Sequence, residues 1–258
     1  MRLLLIRHGD PDYQHDCLTA AGRQEAKALA ALLCRERIDA FYASPLGRAQ
    51  ETADYALRAA GRTAETLDWL QEFPARIDIN GNSTLQRAYP DTARWPDGRF
   101  ASRIVWDVVP AVLRSDPRYL DGALWRQTEV ALHSNMAPLY NRVCAGLDAL
   151  LARHGYLRLP DGTYQAERPN GDTLALFCHF GVTGVMLSHL WGVSPFAVWH
   201  GAVTLPTSVT EVYTEEREPG VAAFRCTRIG DCSHLYAAGL APSFSGRFCE
   251  QFSDDTRH

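Results

Sequence analysis

Long apolar runs are missing from this sequence. Its apolar start, Leu3 to Ile6, gives way at once to charged residues, and nothing later approaches the length of a membrane span. The expectation is a cytoplasmic protein with no signal peptide and no membrane partner. Close CxxC pairs are also missing. Seven cysteines, an odd number spread from Cys17 to Cys249, lack the density of a disulfide scaffold and read as reduced thiols. Cys226 and Cys232 flank a short segment and Cys178 sits beside His179, but no metal-ligand spacing connects them, so no metal is expected. There is no basic stripe either: 26 Lys and Arg are interspersed with 30 Asp and Glu for a formal charge of -4, which argues against a nucleic-acid partner. Repeats and low-complexity tracts do not occur. What is present, 46% hydrophobic residues over 258 positions, suffices for one full α/β core, or a core with a sizeable insertion, folding without metal or disulfide.

The pattern along the chain alternates strand and helix. Leu3 to Ile6 reads as a first strand, and Asp10 to Tyr13 as a loop. Ala20 to Arg37 carries apolar residues at helical spacing behind Thr19 as N-cap. Ile38 to Ser44 reads as a second strand, Arg48 to Ala60 as a helix stopped by Gly61, and Ala64 to Leu67 as a third strand. From Phe73 to Asp121 the rhythm disappears among prolines, and only Ile104 to Leu113 looks regular. Gly122 to His154 shows the longest helical stripe, with a break near Pro138 as an open possibility. Tyr156 to Asn170 reads as a surface hairpin or loop around Asp161-Gly162. Thr173 to Cys178 has the continuous apolarity of a strand buried on both faces. Pro206 to Thr214 and Gly220 to Arg228 read as adjacent antiparallel strands, and Ser233 to His258 carries no clear regular structure.

This order predicts an α/β three-layer sandwich, a mainly parallel sheet flanked by helices. Residues 1–258 form one domain, with 73–121 and part of 122–172 inserted as a cap over the strand ends. Trp69, Trp125, Trp191 and Trp199 read as core, and the oligomeric state is not legible.

Two histidines stand where such folds place chemistry, at the ends of strands. The first lies in Arg7-His8-Gly9 and the second in Cys178-His179-Phe180, with Ser44-Pro45-Leu46-Gly47-Arg48-Ala49 and Thr52-Ala53 between them. Together with Leu18-Thr19, Gly22, Gln24 and Leu70-Gln71-Glu72, these motifs resemble the histidine phosphatase superfamily, the branch that also contains cofactor-dependent phosphoglycerate mutases. The likeness is strongest over residues 1–72 and 173–214, and it implies a phosphoglycerate mutase-like fold.

The resemblance implies that His8 is the nucleophile toward the phosphorus of a monoester. A neutral imidazole serves because one nitrogen keeps a lone pair while the other holds its proton against an acceptor, commonly a backbone carbonyl. Arg7 and Arg48 are implied as clamps on the nonbridging oxygens, a task suited to a guanidinium fork. His179 is implied as a donor to the phosphoryl group, cationic when phosphate is bound, and Glu72 as the proton donor to the leaving alkoxide. Asp10 is a second candidate for that proton. Gln50 and Thr52 are expected to fix the second helix, and Tyr13 and His15 either line the entrance or face solvent.

Departures from the family pattern are visible. Phe73-Pro74-Ala75 follows Glu72 in place of a glycine- and tryptophan-rich continuation, and Phe180 replaces a small residue, either narrowing the pocket or packing on the sheet. The expected activity is metal-independent hydrolysis of a small phosphomonoester, with phosphate as product and no cofactor. A phosphoglycerate mutase-like phosphotransferase is the first alternative, although the asparagine and the paired-arginine signatures of that group are missing. A noncatalytic phospholigand-binding or regulatory protein is the second. Leaving-group selection is assigned to the irregular segment, where Arg76, Arg87, Arg94, Arg99 and Arg103 mostly read as solvated.

Overall fold

A computed structural model describes residues 1–245. Strand β1 (Arg2–Arg7) is followed by a two-stranded ribbon, β2 (Pro11–Asp12) against β3 (Cys17–Leu18), which leads into α1 (Ala20–Leu33). Thr19 caps α1 by accepting from the Gly22 amide, and Gly22, Glu25, Ala26, Leu29, Ala30 and Leu33 line its buried face at helical spacing. The helix stops short of the expected Arg37, with Cys34 as its C-cap. Strand β4 (Ala40–Ala43), α2 (Gly47–Ala60) and β5 (Glu65–Thr66) complete the first βαβαβ run. Gly61 ends α2 in the left-handed region at φ 62°, a conformation that favours glycine.

The irregular segment contains a second ribbon, β6 (Arg76–Ile77) with β7 (Arg103–Ile104), and the short helices α3 (Ser83–Ala88), α4 (Pro110–Ser115) and α5 (Glu129–Leu132). The single long helix expected over Gly122 to His154 is divided. A 3₁₀ turn covers Leu124–Gln127, α5 follows, and α6 spans Met136–Arg153. Side-chain caps explain the division. Asp121 accepts from the Ala123 and Leu124 amides, and Thr128 accepts from Ala131 while starting α5. Pro138 breaks nothing because it lies in the first turn of α6, where its missing N–H has no partner to lose.

Beyond α6, β8 (Tyr156–Arg158) and β9 (Tyr164–Ala166) form a hairpin that joins the sheet edge. Then come β10 (Thr173–Cys178), α7 (Phe180–Trp191), α8 (Pro195–Gly201), β11 (Val209–Glu218), β12 (Val221–Asp231) and α9 (Ser233–Ala237). The last corrects the expectation that no helix follows Ser233; residues 246–258 of that stretch lie outside the described residues.

One eight-stranded sheet has the order β5-β4-β10-β1-β11-β12-β9-β8. It is parallel from β5 through β1 and antiparallel from β1 through β8, so the α/β sandwich holds with a mixed sheet. Alternation along the central strands distributes the core. Leu3, Leu5, Leu174, Leu176 and Cys178 face a large cluster with α6, α7 and the irregular segment, while Leu4, Ile6, Ala175 and Phe177 face a smaller one with α1 and α2. Trp125 and Trp199 are buried, and Trp69 and Trp191 pack against the core. Among the described residues no helix is long and apolar enough to cross a membrane, and the six cysteines are free.

Gly22 shows how tightly the first loop is held. A Cβ there would lie 2.2 Å from the Asp10 carbonyl oxygen, so the loop carrying Asp10 must shift to admit a methyl group. Gly22→Ala is expected to lower stability by about 1–3 kcal/mol in urea denaturation, and an unchanged midpoint would show the contact to be loose.

Candidate active site

The register of the sheet builds the site. Strands β1 and β10 run parallel with Arg7 opposite Cys178, so the next residue of each, His8 and His179, leaves the same edge. The His8 amide donates to the Cys178 carbonyl at 3.0 Å, and the two imidazole centroids are 5.0 Å apart. Strand β4 ends alongside, with Ala43 opposite Phe177; the Ser44 amide donates to the Phe177 carbonyl at 2.8 Å. This brings Ser44 Oγ within 2.7 Å of His179 Nε2. Arg48, in the first turn of α2, adds a second buried guanidinium beside Arg7. Thr52, one turn on, donates to the Arg48 carbonyl at 2.7 Å and accepts from the Gly9 amide at 2.9 Å, which fixes α2 against the histidine loop.

Arg7, His8, Arg48 and His179 are all buried. His8 Nδ1 donates to the Gly9 carbonyl at 2.7 Å, a geometry that places the lone pair on Nε2. Arg7 Nε, Arg48 Nε and His179 Nδ1 are buried with no hydrogen-bond partner among the described residues. Buried donors are ordinarily satisfied, and three orphans around one imidazole point to an anion as their partner. Arg7 is held from behind by the Thr204 carbonyl at 2.6 Å, and the Thr207 amide donates to the His8 carbonyl at 3.0 Å.

Burial, reinforced by the positive charge of Arg7 and Arg48, pushes the His8 imidazole well below its usual value; the Gly9 bond opposes this only in part. His179 is driven down by burial, then by His8, Arg48 and Arg7. Both shifts favour the neutral ring. A bound phosphate dianion would reverse the charge balance at His179, whose Nδ1 is the free donor if the Ser44 hydroxyl donates to Nε2.

Glu72 reaches the same region although its flanking sequence departs from the family. Its Oε1 accepts from the Phe73 amide at 2.8 Å, the Gly181 amide at 2.9 Å and the Val182 amide at 3.3 Å, seating the carboxyl at the N-terminus of α7. Burial raises it above the usual carboxyl value, against the lowering pull of the Phe73 amide, Arg7 and Arg48. Asp10 is turned elsewhere. Its carboxylate accepts from Thr19 Oγ1 at 2.7 Å and Ser245 Oγ at 2.5 Å, and its amide donates to Glu25.

The ribbon loop contributes Asp16, which sequence reasoning did not assign. Asp16 binds the Arg48 guanidinium and accepts from the Gly47 amide at 2.6 Å; only the folded loop shows this pairing. Tyr13 lies with its ring 5.4 Å from the Arg48 guanidinium carbon and edge-on to His8 at 6.5 Å. His15 pairs with Asp12 at 2.8 Å on the exposed side. Ser44, quoted only as part of a motif, proves to be the partner of His179. Gln50 donates to the Ser44 carbonyl at 2.5 Å and so holds that strand end.

The irregular segment is stitched to this edge by aromatic rings. Trp106 packs 5.8 Å from Phe180, 5.6 Å from Trp199 and 6.5 Å from Phe73, so Phe180 packs in this cluster. A Cβ at Gly181 would stand 2.4 Å from Trp106 and 2.8 Å from Glu72 Oε1, which sets glycine as the residue that lets both approach. Six of the segment's seven arginines have a polar partner close by: Arg76 with Ser102, Arg87 with Thr84, Arg94 with the Gly98 carbonyl, Arg99 with Asp78, Arg103 with Asp107 and Arg118 with Asp116. Among the described residues no group of three or more His, Cys, Asp or Glu side chains converges as a metal site would require.

Comparison with known proteins bears on the fold. A sequence model described as histidine phosphatase superfamily (branch 1) matches residues 3–104. No curated protein matches the chain significantly. Among solved structures, mycobacterial glucosyl-3-phosphoglycerate phosphatase in complex with inorganic phosphate gives a TM-score of 0.58 at 17% identity, over 91% of this chain and 99% of that one. A variant of phosphoserine phosphatase from Entamoeba histolytica in complex with phosphoserine gives 0.53 at 17% identity, over 91% and 98%. A structure described as mycobacterial hydrolase 1 gives 0.55 at 15% identity, over 89% and 98%. At these identities the likeness is one of fold.

The buried imidazoles make a direct prediction. NMR titration should find His8 and His179 still neutral at pH 6.5, where an ordinary histidine is half protonated. Because the folded state then binds fewer protons than the unfolded chain, these two groups lower stability as pH falls from that point. Half-protonation of His8 at pH 6.5 would contradict the account.

Proposed function

We propose, from the premise that the chain belongs to the histidine phosphatase superfamily, that it hydrolyses small phosphomonoesters through a phosphohistidine formed on His8. The observation that carries this reading is the His8 Nδ1 bond to the Gly9 carbonyl, which leaves an unprotonated Nε2 among three buried donors without partners. In the first step Nε2 attacks phosphorus as the ester P–O bond breaks, and protonated Glu72 gives its proton to the departing alkoxide. In the second step the Glu72 carboxylate takes a proton from water as the water oxygen attacks phosphorus. The N–P bond then breaks and inorganic phosphate leaves.

Arg7, Arg48 and His179 have the same task in both steps. Their N–H groups stand ready for the nonbridging oxygens and meet charge as it develops, with no reorganisation at the moment of reaction. Glu72 fits the acid role better than Asp10, because burial favours its protonated form while Asp10 is occupied by Thr19 and Ser245. Single-domain organisation, with residues 73–121 and part of 122–172 as a cap over the site, completes the proposal. Hydrolysis is favoured over a mutase reaction because the asparagine and paired-arginine signatures of the mutase group are missing from the sequence.

Leaving groups test the assignment. Glu72→Gln should lower kcat/KM for alkyl monoesters on the order of 100-fold or more, and for an aryl monoester much less, since kcat/KM reports the first step, where a phenolate departs with little help, and not the later hydrolysis common to all esters. The alkaline limb of kcat/KM belongs to Glu72, above the ordinary carboxyl range, and should vanish in the variant. Equal losses on alkyl and aryl esters would remove Glu72 from the acid role.

A further inference from the structure

Tyr13 is largely exposed, at 62%, yet its ring stands against both His8 and Arg48. The other exposed aromatic positions, such as Trp95 and Tyr236, are not seen against either residue. A ring needed only to hold Arg48 in place gains nothing from such exposure. Arg48 is already held by Asp16 from the same loop. Across the site, Glu72 and Trp106 both approach Gly181, and Trp106 packs on Phe180.

Charge around the mouth points the same way. The same loop contributes Asp16, whose carboxylate lies on Arg48 itself. An additional anionic group on the leaving alcohol would come up against Asp16. A flat, uncharged ring meets no such penalty and covers apolar surface on Tyr13.

We propose that Tyr13 is a specificity-determining residue that stacks on the leaving group, and that the substrates are phosphomonoesters of alcohols bearing an aromatic ring and no further anionic group. This rests on the phosphatase reading above. Ring stacking beyond simple area burial gives roughly a five- to tenfold advantage, expressed in KM.

The test uses three primary alkyl esters with similar departing alcohols: 2-phenylethyl phosphate, n-butyl phosphate and 3-phosphoglycerate. The full chain is expected to show its highest kcat/KM on the phenylethyl ester, roughly five- to tenfold or more above butyl, with 3-phosphoglycerate lowest. Tyr13→Ala should bring the phenylethyl-to-butyl ratio close to one through KM, and Tyr13→Phe should retain it. A preference for 3-phosphoglycerate, or a ratio unchanged in Tyr13→Ala, overturns the proposal while leaving the phosphatase reading standing. Failure to release phosphate from any of the three esters, in folded protein, overturns both.

Discussion

The parallel pairing of β1 with β10 is the constraint on which the rest of this molecule depends. With Arg7 opposite Cys178, two residues 171 positions apart in sequence leave the sheet side by side, and one amide-to-carbonyl bond from His8 to Cys178 fixes their separation. A slip of one residue would turn the side chains of a central strand to the opposite cluster, exchanging the partners of Leu3 and Leu5 for those of Leu4 and Ile6. The doubly buried core thus sets the register, and the register sets the distance between imidazoles. β4 extends the same logic by one strand, bringing Ser44 to His179.

Burial then does electrostatic work. A histidine in water at neutral pH is a poor choice of nucleophile only in the fraction that is protonated; here desolvation and two guanidinium groups remove that fraction. Burial acts in the opposite sense on Glu72, raising a carboxyl that three amides would otherwise stabilise as an anion. One low-dielectric pocket therefore pushes an imidazole and a carboxyl in opposite directions, which is the separation that the proposed two-step transfer calls for.

Much of this was legible in the sequence, for physical reasons. Leu174 to Cys178 is apolar at every position because both faces of the strand are covered, so the strand and the histidine after it could be read directly. Thr19 and Gly61 marked helix ends because a hydroxyl acceptor and a left-handed backbone are local requirements. The stretch from Gly122 to His154 misled because its apolar stripe is continuous while the caps at Asp121 and Thr128 restart the helix, and such side-chain competition leaves the periodicity intact. Asp16 and Ser44 escaped notice for a different reason. Their partners, Arg48 and His179, are distant in sequence, and only the closed loop and the strand order bring them together.

The central claim is that the His8 imidazole carries the phosphoryl group. It is tested most directly by mixing the protein with a ³²P-labelled phosphomonoester in the presence of chelator, quenching in alkali, and locating the label. The account predicts an acid-labile, alkali-stable phosphoenzyme with phosphorus on Nε2 of His8, absent from His8→Ala. Release of phosphate by His8→Ala at the parent's rate, or label on another side chain, would contradict it.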